Sequence, residues 1–147
     1  CNPQPETRFF IFIEEGEVPA YHTLKLLIDK GVDTSVVTFT SDGQGSLPGF
    51  DEDGNMSRID VGKVTSLYES VRDSIIKDKV DIAKAIAVIT ENPAKIYGLS
   101  AKGKIAEGKD ADLVIADKSS LEIETVIAKG QIMIKDKAIL VKGTFEK

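Results

Sequence analysis

The sequence is poor in the residues that most often hold metals, cross-link chains or bind nucleic acids. It has one cysteine, one histidine and no tryptophan, and its 19 basic against 24 acidic side chains leave a formal net charge of −5. A single cysteine allows no internal disulfide, so we expect a reducing compartment, the cytoplasm. The acidic balance argues against a general nucleic-acid binder, because phosphate contacts require a basic excess.

No apolar run approaches the roughly 20 residues that a membrane-spanning helix requires, so no membrane partner is expected. Charged residues (29%) and apolar residues (41%) occur at the frequencies of a soluble globular domain. The chain begins with Cys1 instead of methionine, which is expected of a fragment of a longer chain. A mature lipoprotein end and a self-processed N-terminal nucleophile are the alternatives at that residue.

The first part of the chain predicts a βαβ unit. Residues 8–13 form an apolar run without alternation, typical of a strand buried on both faces. Residues 19–30 have the apolar spacing of a helix, and Gly31 follows at the expected stop. Residues 35–40 are a second β-branched and aromatic run. The two runs are therefore predicted to be parallel neighbours joined by a right-handed crossover.

Three helices are predicted further along. The first has Val64 on its apolar face and ends near Lys79, and the second is capped by Asp81 and continues to Thr90. Pro93 opens a short third helix at its first helical position.

From Leu99 the pattern changes to short β-branched runs separated by turn residues. The close spacing predicts antiparallel hairpins. The runs are 112–116, 125–128, 131–134 and 138–141, with turns at Lys129-Gly130 and Asp136-Lys137. The chain thus changes from α/β to all-β near residue 98.

The strongest candidate for chemistry is the segment from Thr40 to Pro48, at the start of a long polar loop predicted to extend to Arg58. Asp42 follows the second predicted parallel strand, and α/β folds bind ligands at such strand ends. A carboxylate there can ligate a metal ion and move a proton from bound water. Nearby Gly45 lets a substrate approach the backbone, and Ser46 can donate a hydrogen bond to a carboxylate. On pattern alone, a plain turn explains this aspartate at least as well.

Three other patterns fail on inspection. Residues 51–55 begin like a calcium-binding loop, but Met56 stands where that loop needs glycine. Residues 98–104 approach a phosphate-binding loop, but Ile105 replaces the required Ser or Thr. His22 has no second His or Cys at ligand spacing, which favours a helix-surface or packed histidine.

Several segments together resemble one enzyme family. The stretches from Asn92 to Leu99 and from Gly103 to Val114 are similar to the ending of the amidohydrolases, where the last barrel helices lead into a small β-sandwich. The narrower match is the segment from Thr40 to Pro48 together with the tail from Val141 to Glu146. These two resemble the isoaspartyl (β-aspartyl) dipeptidases.

The resemblance implies a fold and a division of the chain. Residues 1–98 are expected to form the C-terminal strands and helices of a (β/α)8 barrel. Residues 99–147 are expected to form a small antiparallel β-sandwich segment. The implied activity is hydrolysis of dipeptides linked through an aspartyl side chain, at a binuclear zinc site.

The resemblance also implies residue roles. Asp42 becomes a metal ligand and proton shuttle, and Ser46, beside Gly45, contacts the carboxylate of a small peptide substrate. The family's His-x-His motif, bridging carboxylated lysine and two further histidine ligands have no counterpart in this sequence. We therefore expect a C-terminal portion that is inactive alone. It would associate with the remainder of the barrel or with other subunits, as a homo-oligomer.

Two alternatives stay open. In the first, the parent protein is another amidohydrolase, such as a dihydroorotase-like cyclic-amide hydrolase or a deacetylase. The Gly-Gln-Gly-Ser-Leu-Pro loop disfavours this alternative. Otherwise the chain is a noncatalytic truncation that serves as an interaction or assembly module, which the lack of histidine clusters favours.

Overall fold

The computed structural model describes residues 9–11, 18–41 and 43–143. The strands in these ranges form a two-stranded parallel sheet, a two-stranded antiparallel hairpin and a four-stranded antiparallel sheet. None of the helices in the same ranges is long and apolar enough to cross a membrane.

The predicted strand–helix–strand order and parallel pairing are confirmed. Strand β1 (Phe9–Ile11) and strand β2 (Val37–Phe39) are parallel neighbours, with helix α1 (Ala20–Asp29) between them along the chain. Gly31 follows the helix with a φ of 73°, a left-handed conformation that glycine adopts at little cost. The remaining residues of the first predicted strand lie outside the described ranges.

The second strand is shorter than predicted. A 3-10 turn, Thr34–Val36, replaces its first residues. Asp33 accepts hydrogen bonds from the backbone N–H and the hydroxyl of Ser35, both at 2.9 Å. Such local side-chain bonds compete with strand pairing and explain the late start. All three residues of β2 are buried, as expected for a strand covered on both faces.

The polar segment predicted as a loop through Arg58 instead forms a hairpin, and that prediction is wrong. Strand β3 (Ser46–Phe50) pairs with strand β4 (Met56–Val61). Asp51 closes the turn, since its carboxylate accepts hydrogen bonds from the backbone N–H of Asn55 at 2.8 Å and of Asp53 at 3.1 Å. The composition suggested a loop, but these bonds direct the chain back along itself.

The three helices predicted next are present, the first two with narrower bounds and the third with an earlier start: α2 (Ser66–Ile76), α3 (Ile82–Ala87) and α4 (Glu91–Ile96). The predicted cap of the second is confirmed, because the Asp81 carboxylate accepts a hydrogen bond from the backbone N–H of Lys84 at 3.1 Å.

Two details of the helix predictions are wrong. Pro93 is the third residue of α4 and not the first. It is tolerated there because the first-turn N–H groups have no partner within the helix. Val64 lies before α2 begins and is 60% exposed, so it does not belong to the apolar face of that helix.

The hydrophobic core lies between β2 and helices α1, α2 and α3. Burial of each large apolar side chain there contributes about 1.5–3 kcal/mol relative to exposure. Its buried members are Ala20, Leu24, Val37, Phe39, Val71, Val80, Ala85 and Val88.

The predicted antiparallel hairpins at the C-terminal end are confirmed as one sheet in the order β5-β6-β7-β8. These strands are β5 (Leu113–Ala116), β6 (Ile123–Ala128), β7 (Gln131–Lys135) and β8 (Ala138–Ile139). The structure therefore shows helices mixed with antiparallel sheets. The (β/α)8 barrel, the β-sandwich and the division at residue 98 stay predictions.

The two predicted turns of this sheet are confirmed. Lys129 and Gly130 have φ values of 49° and 79°, and Asp136 and Lys137 have 51° and 66°. Positive φ at both central residues is the type I′ geometry, whose twist matches that of the flanking strands.

Candidate functional site

The candidate segment, Thr40 to Pro48, runs from the end of β2 into the first three residues of β3. Asp42 itself lies outside the described residues, so its role as metal ligand and proton shuttle stays a prediction. Its neighbour Ser41 is half-buried and its other neighbour Gly43 is exposed. The segment is thus anchored to the buried strand on one side and open to solvent on the other.

Two backbone hydrogen bonds attach this segment to the far strand of the hairpin. The N–H of Gln44 donates to the carbonyl of Gly62, and the N–H of Gly62 donates to the carbonyl of Gly45, both at 2.9 Å. Gln44 has a φ of 68°, which is uncommon for a residue with a side chain. The bonds extend the β3–β4 pairing beyond the strands and fix the backbone that precedes Ser46.

Ser46 is the first residue of β3 and lies opposite Val61. Its side chain is exposed, and its hydroxyl forms no hydrogen bond with the described part of the chain. Gly45, just before it, is half-buried. The Ser46 hydroxyl can therefore donate a hydrogen bond to a ligand carboxylate without first breaking a hydrogen bond to another described residue.

The one cation within strands β3 and β4 lies on the face opposite Ser46. Arg58 is paired with Gly49, and its side chain covers that glycine, where an added Cβ would lie 2.7 Å from Cγ of the arginine. Its Nε donates to the Asp60 carboxylate at 2.8 Å. Since side chains alternate along a strand, Arg58 and Ser46 face opposite sides of the hairpin. The guanidinium is therefore not placed to share a ligand with Ser46.

His22 lies on the surface of α1, as predicted. Its Nδ1 is 2.9 Å from a carboxylate oxygen of Asp78, in the connection between α2 and α3. Within the described ranges, no three His, Cys, Asp or Glu residues are grouped so that they could hold a metal ion. A catalytic zinc normally needs three protein ligands, so the described residues alone do not fit one.

Sequence reasoning missed two residues of this region. Gly62 is buried and carries both hydrogen bonds to the candidate segment, although its only sequence signal is a glycine after a strand-like run. Val64 was predicted to pack on a helix, whereas it contacts Gly43.

The chain belongs to the amidohydrolase family, whose model matches residues 14–133. Members of that family are hydrolases that generally use a metal ion. The predicted resemblance to β-aspartyl dipeptidases is confirmed. The crystal structure of the enzyme from Fervidobacterium islandicum AW-1, in complex with the β-Asp-Leu dipeptide, matches with a TM-score of 0.81 and 33% identity. That match covers 96% of this chain and 37% of the solved one.

Matches to curated proteins are shorter. Adenine deaminase 1 of Carboxydothermus hydrogenoformans is 40% identical over 60 residues, which are 40% of this chain and 10% of that protein. Dihydroorotase of Endomicrobium trichonymphae is 35% identical over 72 residues, which are 44% of this chain and 17% of that protein. The chain thus spans only a small part of the relatives it matches.

Proposed function

We propose that this chain is the C-terminal portion of a metal-dependent amidohydrolase that hydrolyses β-aspartyl dipeptides. One observation carries the proposal: the match to the β-aspartyl dipeptidase structure covers 96% of the chain. The adenine deaminase matches cover 40% to 79% of the chain and the dihydroorotase matches 29% to 44%, each less than the dipeptidase match. Because they carry several different activities, they favour the family without favouring one of their own substrates.

The proposal assigns one role to Asp42 and one to Ser46, both in the candidate segment. Asp42 accepts the proton of the attacking water and returns it to the leaving amine, a general acid–base contribution of about 10²–10⁴-fold. Ser46 donates a hydrogen bond to a substrate carboxylate. Its exposed hydroxyl, without a partner in the described ranges, supports this role.

The metal of the proposed enzyme is zinc, in a binuclear site whose histidine ligands lie outside this sequence. One carboxylate and the described residues are too few to hold it. We further propose that the chain functions with the remainder of a (β/α)8 barrel, or with other subunits, in a homo-oligomer.

The test is the substrate range of the complete parent enzyme. We expect turnover of β-Asp-Leu and little turnover of α-Asp-Leu, which has the same atoms joined through the other carboxyl group. Adenine and dihydroorotate serve as parallel substrates. Turnover of either of these, without turnover of β-Asp-Leu, would replace the proposed activity by another one within the family.

A further inference from the structure

Val64 lies against Gly43 at the start of the candidate segment. Gly43 is not in the left-handed region of φ that favours glycine. A Cβ added there would lie 2.5 Å from Cγ1 of Val64 and 3.1 Å from Oγ of Ser41. Real Cβ atoms essentially never approach closer than 3.0 Å. A side chain at this position would therefore force Val64, Ser41 or the backbone of the segment to shift.

Val64 does not contribute to the hydrophobic core. It lies in the connection between β4 and α2, its side chain is 60% exposed, and it is absent from the core cluster among the described residues. Its dispersion contacts with Gly43 are therefore made in the candidate segment and not in the core.

The backbone next to this contact is held as well. Gln44 and Gly45 each share a 2.9 Å hydrogen bond with Gly62, two residues before Val64. The contact holds the segment at Gly43, and the two hydrogen bonds hold it at Gln44 and Gly45. Ser46 is the next residue and is itself paired with Val61, so the contact and the two bonds act on the backbone that leads into its strand.

We propose that Val64 is a positioning residue for Ser46, acting through its contact with Gly43. The inference rests on the proposed dipeptidase function for its kinetic effect and on the structure alone for its effect on the backbone. Gly43→Ala should displace the segment, and Val64→Ala should make room for the added methyl group. In the double variant, the new Cβ would meet Cβ of residue 64 at 3.7 Å, an ordinary contact.

The kinetic test uses the parent enzyme with β-Asp-Leu. We expect Gly43→Ala to raise KM on the order of ten-fold with kcat nearly unchanged, since a misplacement of about 1 Å can cost up to 10²-fold. The double variant with Val64→Ala should return KM most of the way to the wild-type value, because the methyl group of residue 43 then fills part of the space that the valine side chain filled, although Ser41 Oγ, at 3.1 Å, must still shift slightly. In a Ser46→Ala background, Gly43→Ala should have little further effect, because the group that it misplaces is gone. The inference would be contradicted if Gly43→Ala raised KM by the same factor with and without the Ser46 hydroxyl. It would also be contradicted if KM of the Gly43→Ala, Val64→Ala double variant stayed as high as that of Gly43→Ala.

A second measurement does not depend on activity. Amide hydrogen exchange of Gln44 and Gly62 reports the two bonds in this chain directly. Gly43→Ala should speed that exchange and the double variant should slow it again. Val114→Ala is the matched control, since that valine is 55% exposed and lies in β5, far along the chain. Exchange that is unchanged in Gly43→Ala would overturn the inference, whereas an inactive parent with the expected exchange would overturn only the dipeptidase proposal.

Discussion

A single buried amide joins α4 to the start of β2. Asn92 is only 4% exposed, and its Nδ2 donates to the carbonyls of Thr34 and Val37, both at 2.7 Å. The Val37 carbonyl is buried, and a buried carbonyl that loses a donor is costly, whereas the part-buried Thr34 carbonyl also accepts a hydrogen bond from the N–H of Val37. Sequence reasoning treated this residue as the opening of a helix, but its main role is to satisfy the backbone of another element.

Asn92→Ala should lower the free energy of unfolding by about 1–3 kcal/mol, because the buried Val37 carbonyl loses a donor while the Thr34 carbonyl keeps the N–H of Val37. Urea denaturation followed by circular dichroism measures the change. Asn55→Ala is the matched control, since Asn55 is exposed in the β3–β4 turn, and its effect should stay within about 0.5 kcal/mol. A loss below about 1 kcal/mol in Asn92→Ala would show that water replaces the amide at little cost.

Asp42→Asn should abolish most of the turnover of the complete enzyme. The amide keeps the size and one oxygen but cannot accept a proton, so kcat should fall by about 10²–10⁴-fold. The assay is β-Asp-Leu hydrolysis, accompanied by a thermal melt and a zinc count. A folded, zinc-loaded variant that retains more than about a tenth of the wild-type kcat excludes the shuttle role. A variant that fails to fold supports the plain-turn interpretation instead.

At the scale of elements, one turn attaches the four-stranded sheet to α2. Asp117 organises this turn, since its carboxylate accepts hydrogen bonds from the backbone N–H groups of Ser119 at 2.9 Å and Ser120 at 2.6 Å. The helix donates to the same turn, from Arg72 Nε to the Ser120 carbonyl at 2.7 Å and from Tyr68 to the Leu121 carbonyl at 2.8 Å. Partial burial in this contact raises the pKa of Tyr68.

The turn should be acid-sensitive. The backbone N–H of Ser120, followed by the other bonds from Ser120 and Ser119, holds the pKa of Asp117 below its ordinary value of 3.8. A depressed pKa in the folded state adds stability above the unfolded pKa, and that stability is lost as the pH falls through the folded pKa. Protection of the Ser119 and Ser120 amides from hydrogen exchange should therefore fall as the pH is lowered below about 4.

Asp117→Asn should remove the dependence of this protection on pH in that range. Asp53→Asn is the control, because the Asp53 carboxylate forms no hydrogen bond with the described residues. A wild-type turn that keeps full protection at about pH 2 would show that another contact holds it.

At the scale of the whole molecule, apolar surface is exposed on the hairpin as well as on the sheet. Strand alternation and pairing place Pro48, Ile59 and Val61 on the same face as Ser46, and both branched side chains are nearly 60% exposed, at 59% and 58%. Contiguous apolar patches commonly mark contacts with other protein surfaces. This exposure supports the proposal that the remainder of a barrel or another subunit accompanies the chain.

The isolated chain should not hydrolyse β-aspartyl dipeptides. With zinc and β-Asp-Leu supplied, hydrolysis should not exceed the rate in buffer, because one carboxylate cannot replace the three ligands of a catalytic zinc. The complete parent at the same molar concentration is the positive control. Robust turnover by the chain alone would contradict the assignment as a portion of a larger enzyme, and retained zinc after dialysis would show an additional site.

The local features that the sequence determined by itself are those carried by neighbouring residues. Apolar periodicity placed α1 and β2, Asp81 specified the cap of α3, and the turn residues at 129–130 and 136–137 specified the tight turns of the last sheet. Each signal acts within a few residues, where side-chain size and backbone preference decide the outcome. The family resemblance also came from contiguous motifs, and the match over most of the chain confirms it.

Only the tertiary structure decided the features that depend on residues far apart in the chain. The polar segment after β2 becomes a hairpin because β4 supplies backbone partners to β3, and composition does not reveal those partners. Asn92 donates to the carbonyls of Thr34 and Val37, more than 50 residues earlier in the chain, and Val64 occupies the space that a side chain at residue 43 would fill. Hydrogen-bond satisfaction and steric exclusion act through space, so a linear pattern predicts them only when the partners are neighbours.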